Sequence, residues 1–207
     1  EVALDLASGV TGLDLRTLEI GSVGGARLKA TGLILGGNAG PDGSIGVEIQ
    51  AEDPRELLRL AGLIKGESDP AWAAELGRTA LKGTVAVRPK DGGIETEFDL
   101  NGTAGDISLA ITGQIDGGAT PDATRISGSS EIGTGSSARM AALVGLAPVG
   151  DDQQPARLVA TFDGTPGQGF RSDLQLNAFG GRHGYRGLIN PFVPGLGLDG
   201  KLEMRAT

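Results

Sequence analysis

Cysteine is absent from the chain. That excludes a disulfide scaffold, a thiolate nucleophile and a zinc site built on Cys ligands. It also fits a periplasmic or extracellular bacterial protein. Histidine occurs once, at His183. A Ser-His-Asp relay would have to run through that residue, and a His-rich metal site cannot form. Aromatic residues are scarce, with one Trp, one Tyr and five Phe. Nucleic-acid sites, and usually sugar sites, stack their ligands on aromatic rings, so little of either chemistry is open to this chain. Basic residues are outnumbered: 18 Lys and Arg stand against 26 Asp and Glu, for a net charge of −8. That sign opposes binding along a phosphate backbone. No run of 18 or more apolar residues is present, so no transmembrane helix is expected. The N-terminus enters a strand-like pattern with no signal-peptide features. It begins at Glu1 rather than Met, so a fragment or processed form of something longer is expected.

Glycine is what the chain has in excess: 37 of 207 residues, against about 7% in average proteins. Hydrophobic residues still make up 39%, and they recur at clear periods, so the chain is not a disordered tail. Most of it alternates at period two, the pattern of half-buried strands. In the stretch from Asp106 to Asp116, Ile107, Leu109, Ile111, Gly113 and Ile115 share one face. Ile94, Thr96, Phe98 and Leu100 repeat the pattern, as do Phe170, Ser172, Leu174 and Leu176, and Leu196 to Met204. Turn residues separate these runs at Gly24-Gly25, Pro41-Asp42-Gly43, Asp91-Gly92-Gly93, Asp116-Gly117-Gly118 and Pro166-Gly167. Strands this close together are expected to pair as an antiparallel meander.

Three segments break the period and read as helices. Asp53-Pro54-Arg55-Glu56 is a helix start, followed by a stripe of Leu57, Leu60, Ala61 and Ile64. Asp69-Pro70 opens a second helix, carrying Trp72 and Leu76, to about Ala80. Ser136 caps a third, with Met140, Leu143, Val144 and Ala147 on its stripe. The third helix repeats the first at a shift of about 80 residues, and the strand at Gly32 repeats at Gly113. The chain therefore reads as one repeat-built, β-rich domain over 1–207, with units at 13–94, 95–170 and a partial 171–207. The fold class expected is mainly β: an antiparallel, twisted, repeat-built sheet or groove with two or three capping helices.

Chemistry-bearing motifs are weak. His183 sits in a Gly-rich, hairpin-like stretch and reads as a strand residue beside a turn. Gly133-Thr134-Gly135-Ser136-Ser137 resembles a phosphate cradle but lacks the P-loop lysine, and a helix N-cap explains it. Gly36 to Asp42 has a trace of a calcium-binding Gly-Asp repeat, in a single copy. Nothing here argues for an enzyme, a metal or a cofactor. What remains is the aliphatic face of the strands. It is either the core of a closed fold or a surface that takes acyl chains, which need apolar contact and no oriented hydrogen bonds. Phe98, Leu100, Ile107, Leu109, Ile111, Ile115, Leu174 and Leu176 are the residues expected to face that side.

Taken together, the Phe98-Asp99-Leu100-Asn101-Gly102 strand and turn pattern, the Thr-Gly-x-Ile strand ending at Gly113 to Ile115, and the block Leu57 to Leu63 repeated at Ala142 to Leu146 resemble the AsmA-like family of bacterial envelope proteins. The resemblance covers about Leu13 to Met204. It implies a periplasmic segment of a protein anchored in the inner membrane by an N-terminal helix. It also implies a β-rich groove, related to bridge-like lipid-transfer proteins, that carries phospholipid between inner and outer membranes or supports outer-membrane homeostasis. The family supplies no catalytic residues to carry over. The alternative is a non-transporting structural or interaction domain of an envelope or surface protein.

Overall fold

In the computed structural model the described residues are 2–9, 12–38, 40–60, 69, 71–90, 93–117, 120–143, 153–190 and 197–206. They build a single antiparallel sheet in which each strand pairs with the next one in sequence. Its strands are β1 (Val2–Gly9), β2 (Gly12–Val23), β3 (Ala26–Gly37), β4 (Gly40–Ala51), β5 (Thr79–Lys90), β6 (Gly93–Ala104), β7 (Ile107–Asp116), β8 (Arg125–Thr134), β9 (Ala156–Thr165), β10 (Gly169–Ala178), β11 (Gly181–Asn190) and β12 (Gly197–Ala206). β1 and β12 are the two edges and do not pair with each other. The expected meander is therefore the observed fold: an open sheet, not a barrel or a sandwich.

Among the described residues three short α-helices interrupt the meander, α1 (Arg55–Leu60) and α2 (Ala71–Ala74) between β4 and β5 and α3 (Ser137–Leu143) between β8 and β9, and a single 3-10 turn (Pro121–Ala123) stands between β7 and β8. Helices thus follow the fourth and the eighth strand. The expected caps are in place. Asp53 Oδ1 accepts the Arg55 amide at 3.1 Å, and Ser136 Oγ accepts the Arg139 amide at 3.3 Å. The outer parts of two stripes, Ala61 and Ile64 on α1 and Val144 and Ala147 on α3, lie outside the described residues.

Two sequence expectations are corrected by pairing. Pro41-Asp42-Gly43 is not a turn. These residues pair with Gly36, Leu35 and Ile34 inside β4, and the chain reverses earlier, between Gly37 and Gly40. The proline stands near the strand start, where a missing N–H is tolerated. α2 does not run to Ala80. Gly77 approaches Gly105 closely, the Arg78 carbonyl accepts the Gly105 amide at 2.8 Å, and β5 begins at Thr79. The break in alternation between Leu15 and Leu18 is a register shift within β2, which restores the apolar face beyond it.

Register ties the strands into rows. Leu15, Gly32, Ile45, Val85, Phe98, Gly113, Gly128, Phe162, Ser172, Gly187 and Gly200 pair successively across the sheet. Cross-strand partners share a face, so this one row runs along the apolar side from β2 to β12. Aromatic rings lie over its glycines. A methyl added at Gly113 would sit 2.5 Å from Phe98 Cζ, and one at Gly187 would sit 2.7 Å from the Tyr185 hydroxyl. At Gly83, one row away, an added Cβ would fall onto the Asp99 carbonyl oxygen of β6. Gly46, on the opposite face, has no such crowding, its nearest atom being Thr31 O at 3.6 Å.

The chain exposes 12557 Å² of surface. A compact protein of this mass, 20.9 kDa, would expose about 9,000 Å². The excess is what a sheet without a facing second layer leaves open.

The asymmetry between faces is testable. Gly83→Ala is expected to lower unfolding stability by about 1–3 kcal/mol, while Gly46→Ala stays near neutral. Urea unfolding of the two variants checks this, and equal midpoints would contradict the close approach on the apolar side.

Candidate functional site

All eight residues named from the alternation fall on one face. Phe98 pairs with Gly113, Leu100 with Ile111, and Ile115 with Thr96, while Leu109 pairs with Gly102 and Ile107 with Ala104. The rows continue through Ser130 and Ala160 to Leu174, and through Ile132 and Leu158 to Leu176. Seven of the eight are half-buried. Two of the eight lie at the end of the strands that the helices cover: Ile107 is 0% exposed, and Leu176 packs against the Met140 core. They belong to packed core and not to an accessible surface.

That covered end has a definable construction. Met140 of α3 is fully buried and packs with Ala156 and Ala178, with Ile132, Leu143, Leu158 and Leu176 around them. At the same end of β3 to β6 the buried row is made of small side chains, Ala26, Ala51, Thr79 and Ala104 in successive pairs. Ser137 is also fully buried. Its Oγ donates to the Gln154 carbonyl at 3.1 Å and accepts the Phe179 amide at 3.0 Å. The second bond holds the β10–β11 turn, in which Phe179 adopts a φ of 53° and Gly180 a φ of 66°. Positive φ at both central positions is the I′ hairpin geometry, unusual for a residue as large as Phe. Arg139 ties α3 to its surroundings, donating to Glu75 beyond α2 at 3.2 Å and to Asp106 of the β6–β7 turn. α1 packs over the β2–β3 turn, where a Cβ on Gly24 would meet the Leu57 amide and Leu60. Arg59 of α1 in turn pairs with Asp69 and Glu56.

On the opposite face, toward the strand ends away from the helices, charges cluster. Lys90 Nζ bonds Glu95 at 2.7 Å and Asp116 at 2.6 Å, and Gln114 donates to Glu95 at 2.5 Å. The apolar face is accessible beyond the covered end, out to Ile94, which is 43% exposed. At the sheet's two edges Leu4, Leu202 and Met204 are 56%, 62% and 69% exposed.

The other face is a field of cross-strand ion pairs. Arg125 bonds Asp163 through two 2.8 Å contacts, Arg157 bonds Glu131 through two 2.6 Å contacts, and Arg186 pairs with Asp173. Hydrogen bonds from these partners hold several carboxyls below the usual range. Arg125 does so for Asp163, Arg157 for Glu131, Lys90 for Asp116 and Arg139 for Asp106. Asp53, bonded by Arg55, is lowered to about 2.

The alternation reading did not place His183 and Tyr185 on the apolar face. His183 pairs with Leu176 and Met204, and Tyr185 with Leu174 and Leu202. The signal was available, because both continue the period of Gly181, Gly187 and Ile189. With Leu and Met opposite it on both neighbouring strands, His183 has no cross-strand acid to orient it. Among the described residues no group of three or more His, Asp and Glu is placed to hold a metal ion. Among the described residues no helix is long and apolar enough to cross a membrane. No protein-family model, curated protein or solved structure matches the chain. The functional reading therefore rests on the sheet itself.

Two outcomes follow from this geometry. Ser137→Ala removes both buried bonds and leaves the Phe179 amide without its acceptor, so stability is expected to fall by about 1–3 kcal/mol. Thermal unfolding reads the loss, and hydrogen exchange at Phe179 should rise with it. Retained protection there would contradict the bridge. The second concerns pH. A carboxyl whose folded pKa is depressed adds stability that is present above its unfolded pKa and lost as pH falls through the folded value. The unfolding midpoint should therefore hold from neutral pH to the usual carboxylate range and decline from there toward pH 2, where Asp53 titrates. These pairs are exposed, so added salt should shrink the decline. A midpoint unchanged down to pH 2 would contradict the pairing.

Proposed function

We propose that this chain is a non-catalytic, acyl-chain-carrying module of a periplasmic, AsmA-like protein. In that role it contributes to phospholipid transfer between the inner and outer membranes or to outer-membrane homeostasis. The observation that carries this reading is the aliphatic face of an open sheet, covered among the described residues by helices at one end. Exposed apolar surface of this extent is unfavourable in water at about 25 cal/mol per Å², and each lipid methylene buried against it returns about 0.8 kcal/mol. A twelve-stranded sheet is roughly 55 Å across its strands, and a ten-residue strand is roughly 33 Å long. Both dimensions accommodate acyl chains lying on the face.

In this mechanism the sheet works passively. Acyl chains rest on residues such as Leu100, Ile111 and Leu174. Head groups stay in water at the strand ends away from the helices. The helices at the other end stop the chains from sliding through. The aliphatic composition suits chains that must move, because no fixed hydrogen bond has to break for a lipid to advance.

A second reading is a non-transporting repeat domain. One observation favours it: rings fill part of the face themselves, with Phe162 and Phe170 edge-to-face at 6.3 Å between centroids. The two readings separate in one experiment. The chain is purified without detergent and its extract is analysed by mass spectrometry for phospholipid. The carrier reading expects bound phospholipid, reduced at least tenfold by Leu100→Glu with Leu174→Glu. Ala80→Glu, on the opposite face between Gln50 and Thr103, should leave it unchanged. A folded wild-type chain that is free of lipid, and that accelerates no phospholipid exchange between vesicles, would leave the scaffold reading.

A further inference from the structure

We infer that the polar face across β10, β11 and β12 binds a phosphate group between Arg182 and Arg205. Charge is uneven along the chain. Residues 1–152 carry 12 basic and 22 acidic side chains, whereas residues 153–207 carry 6 basic and 4 acidic ones. The register then sets like against like. Arg182 of β11 pairs directly with Arg205 of β12, and on its other side it meets Asn177 of β10. Like charges directly opposite each other are destabilising. At the other end of the sheet the same face alternates in sign from strand to strand, through Glu19, Lys29, Glu48 and Lys82.

The fold answers a like pair elsewhere. β6 and β7 set Glu95 against Asp116, and Lys90 Nζ bonds both carboxylates, at 2.7 and 2.6 Å. Arg182 and Arg205 have no such bridge. Among the described residues nothing bonds the Arg182 guanidinium, and Arg205 has Glu203 alone, at 3.4 Å. Nearby, Arg186 stands opposite Lys201, and Asp173 bonds only the arginine of that pair. An anion between Arg182 and Arg205 takes the part that Lys90 takes between the two acids. β11 is flanked on both sides within the chain, so the surroundings of Arg182 do not depend on what lies beyond β12.

The space and the donors suit phosphate. Gln175, Asn177, Arg182, Gly184 and Arg205 line one cavity of about 810 Å³. Gly184 leaves its floor open, and no crowding demands glycine there: an added Cβ would lie 3.8 Å from its nearest atom, the Leu174 carbonyl oxygen. Two guanidinium forks and two carboxamides offer hydrogen bonds. A phosphate monoester presents three acceptor oxygens, enough to engage both forks at once. Glu203, opposite Gly184, is the carboxylate that opposes an anion in this position. The site lies on the face away from the aliphatic one and does not rest on lipid carriage.

The wild-type chain is titrated with inorganic phosphate at constant ionic strength, and the arginine Nε–H signals are followed by NMR. Saturable shifts are expected at Arg182 and Arg205. Arg182→Gln and Gly184→Glu should each weaken binding at least tenfold, and Glu203→Gln should tighten it several-fold. Lys82→Gln removes one positive charge from the same face on β5 and should leave binding unchanged. Flotation with phosphatidylcholine vesicles, with and without phosphatidic acid, separates the two sources of phosphate. Retention that requires phosphatidic acid and is lost in Arg182→Gln makes the ligand a lipid head group. Saturable phosphate binding without retention makes it a free phosphate. A folded chain that binds neither, or one that loses as much with Lys82→Gln as with Arg182→Gln, would overturn the inference.

Discussion

The backbone ladder between neighbouring strands is the interaction on which everything else here depends. A sandwich or a barrel shares its stability between two layers or around a closed ring. In this chain a strand is held by the strands on either side, and among the described residues a second layer exists only where the helices stand. Contacts are therefore close to nearest-neighbour, as in repeat proteins. The antiparallel register carries the design, because it decides which side chains form rows and which face those rows occupy. A one-residue slip in any strand would send Phe98 or Leu174 to the charged side and bring Asp99 or Asp173 into the apolar rows.

Two devices hold the open sheet in shape. On the apolar side, glycines in the Gly32 to Gly200 row let rings such as Phe98 and Tyr185 lie across neighbouring strands. An added side chain at Gly83 would run into the next backbone. On the polar side, ion pairs such as Arg125–Asp163 and Arg157–Glu131 span adjacent strands. Exposed pairs of this kind add little energy each, but opposite charges favour the native register and penalise slipped ones. The composition that stood out at the start thus has a structural place. Glycine permits close approach on one face, and the shortage of aromatics leaves that face aliphatic.

Much of this was legible in the chain. The alternation from Asp106 to Asp116 identified a strand and its apolar side, because period two is a local signal. Asp53 and Ser136 marked helix starts, because capping is also local. Pro41-Asp42-Gly43 misled for the same reason: its turn character is local, whereas its pairing with Gly36, Leu35 and Ile34 is not. The Ala-rich segment after Pro70 suggested a longer helix than α2. There the approach of Gly77 to Gly105 and the demands of β5 outweigh helix propensity. The placement of His183 between Leu176 and Met204, and the alignment of glycines and rings into one row, required the register of several strands at once. Ile107 shows the limit most clearly. It shares its alternation with Ile111 and Ile115, and only the position of the helices separates the covered end of the face from the accessible part.

The claim that matters most is that the accessible part of the apolar face meets acyl chains. Photo-cross-linking in a bacterial host tests it directly. A photoreactive side chain is placed in turn at Leu100, Ile111 and Leu174, and at Asn101, Ala110 and Gln175, which face the other way. Illumination should yield phospholipid adducts at the first three positions and none at the second three. Adducts at both sets alike, or at neither while the protein remains folded, would contradict the account.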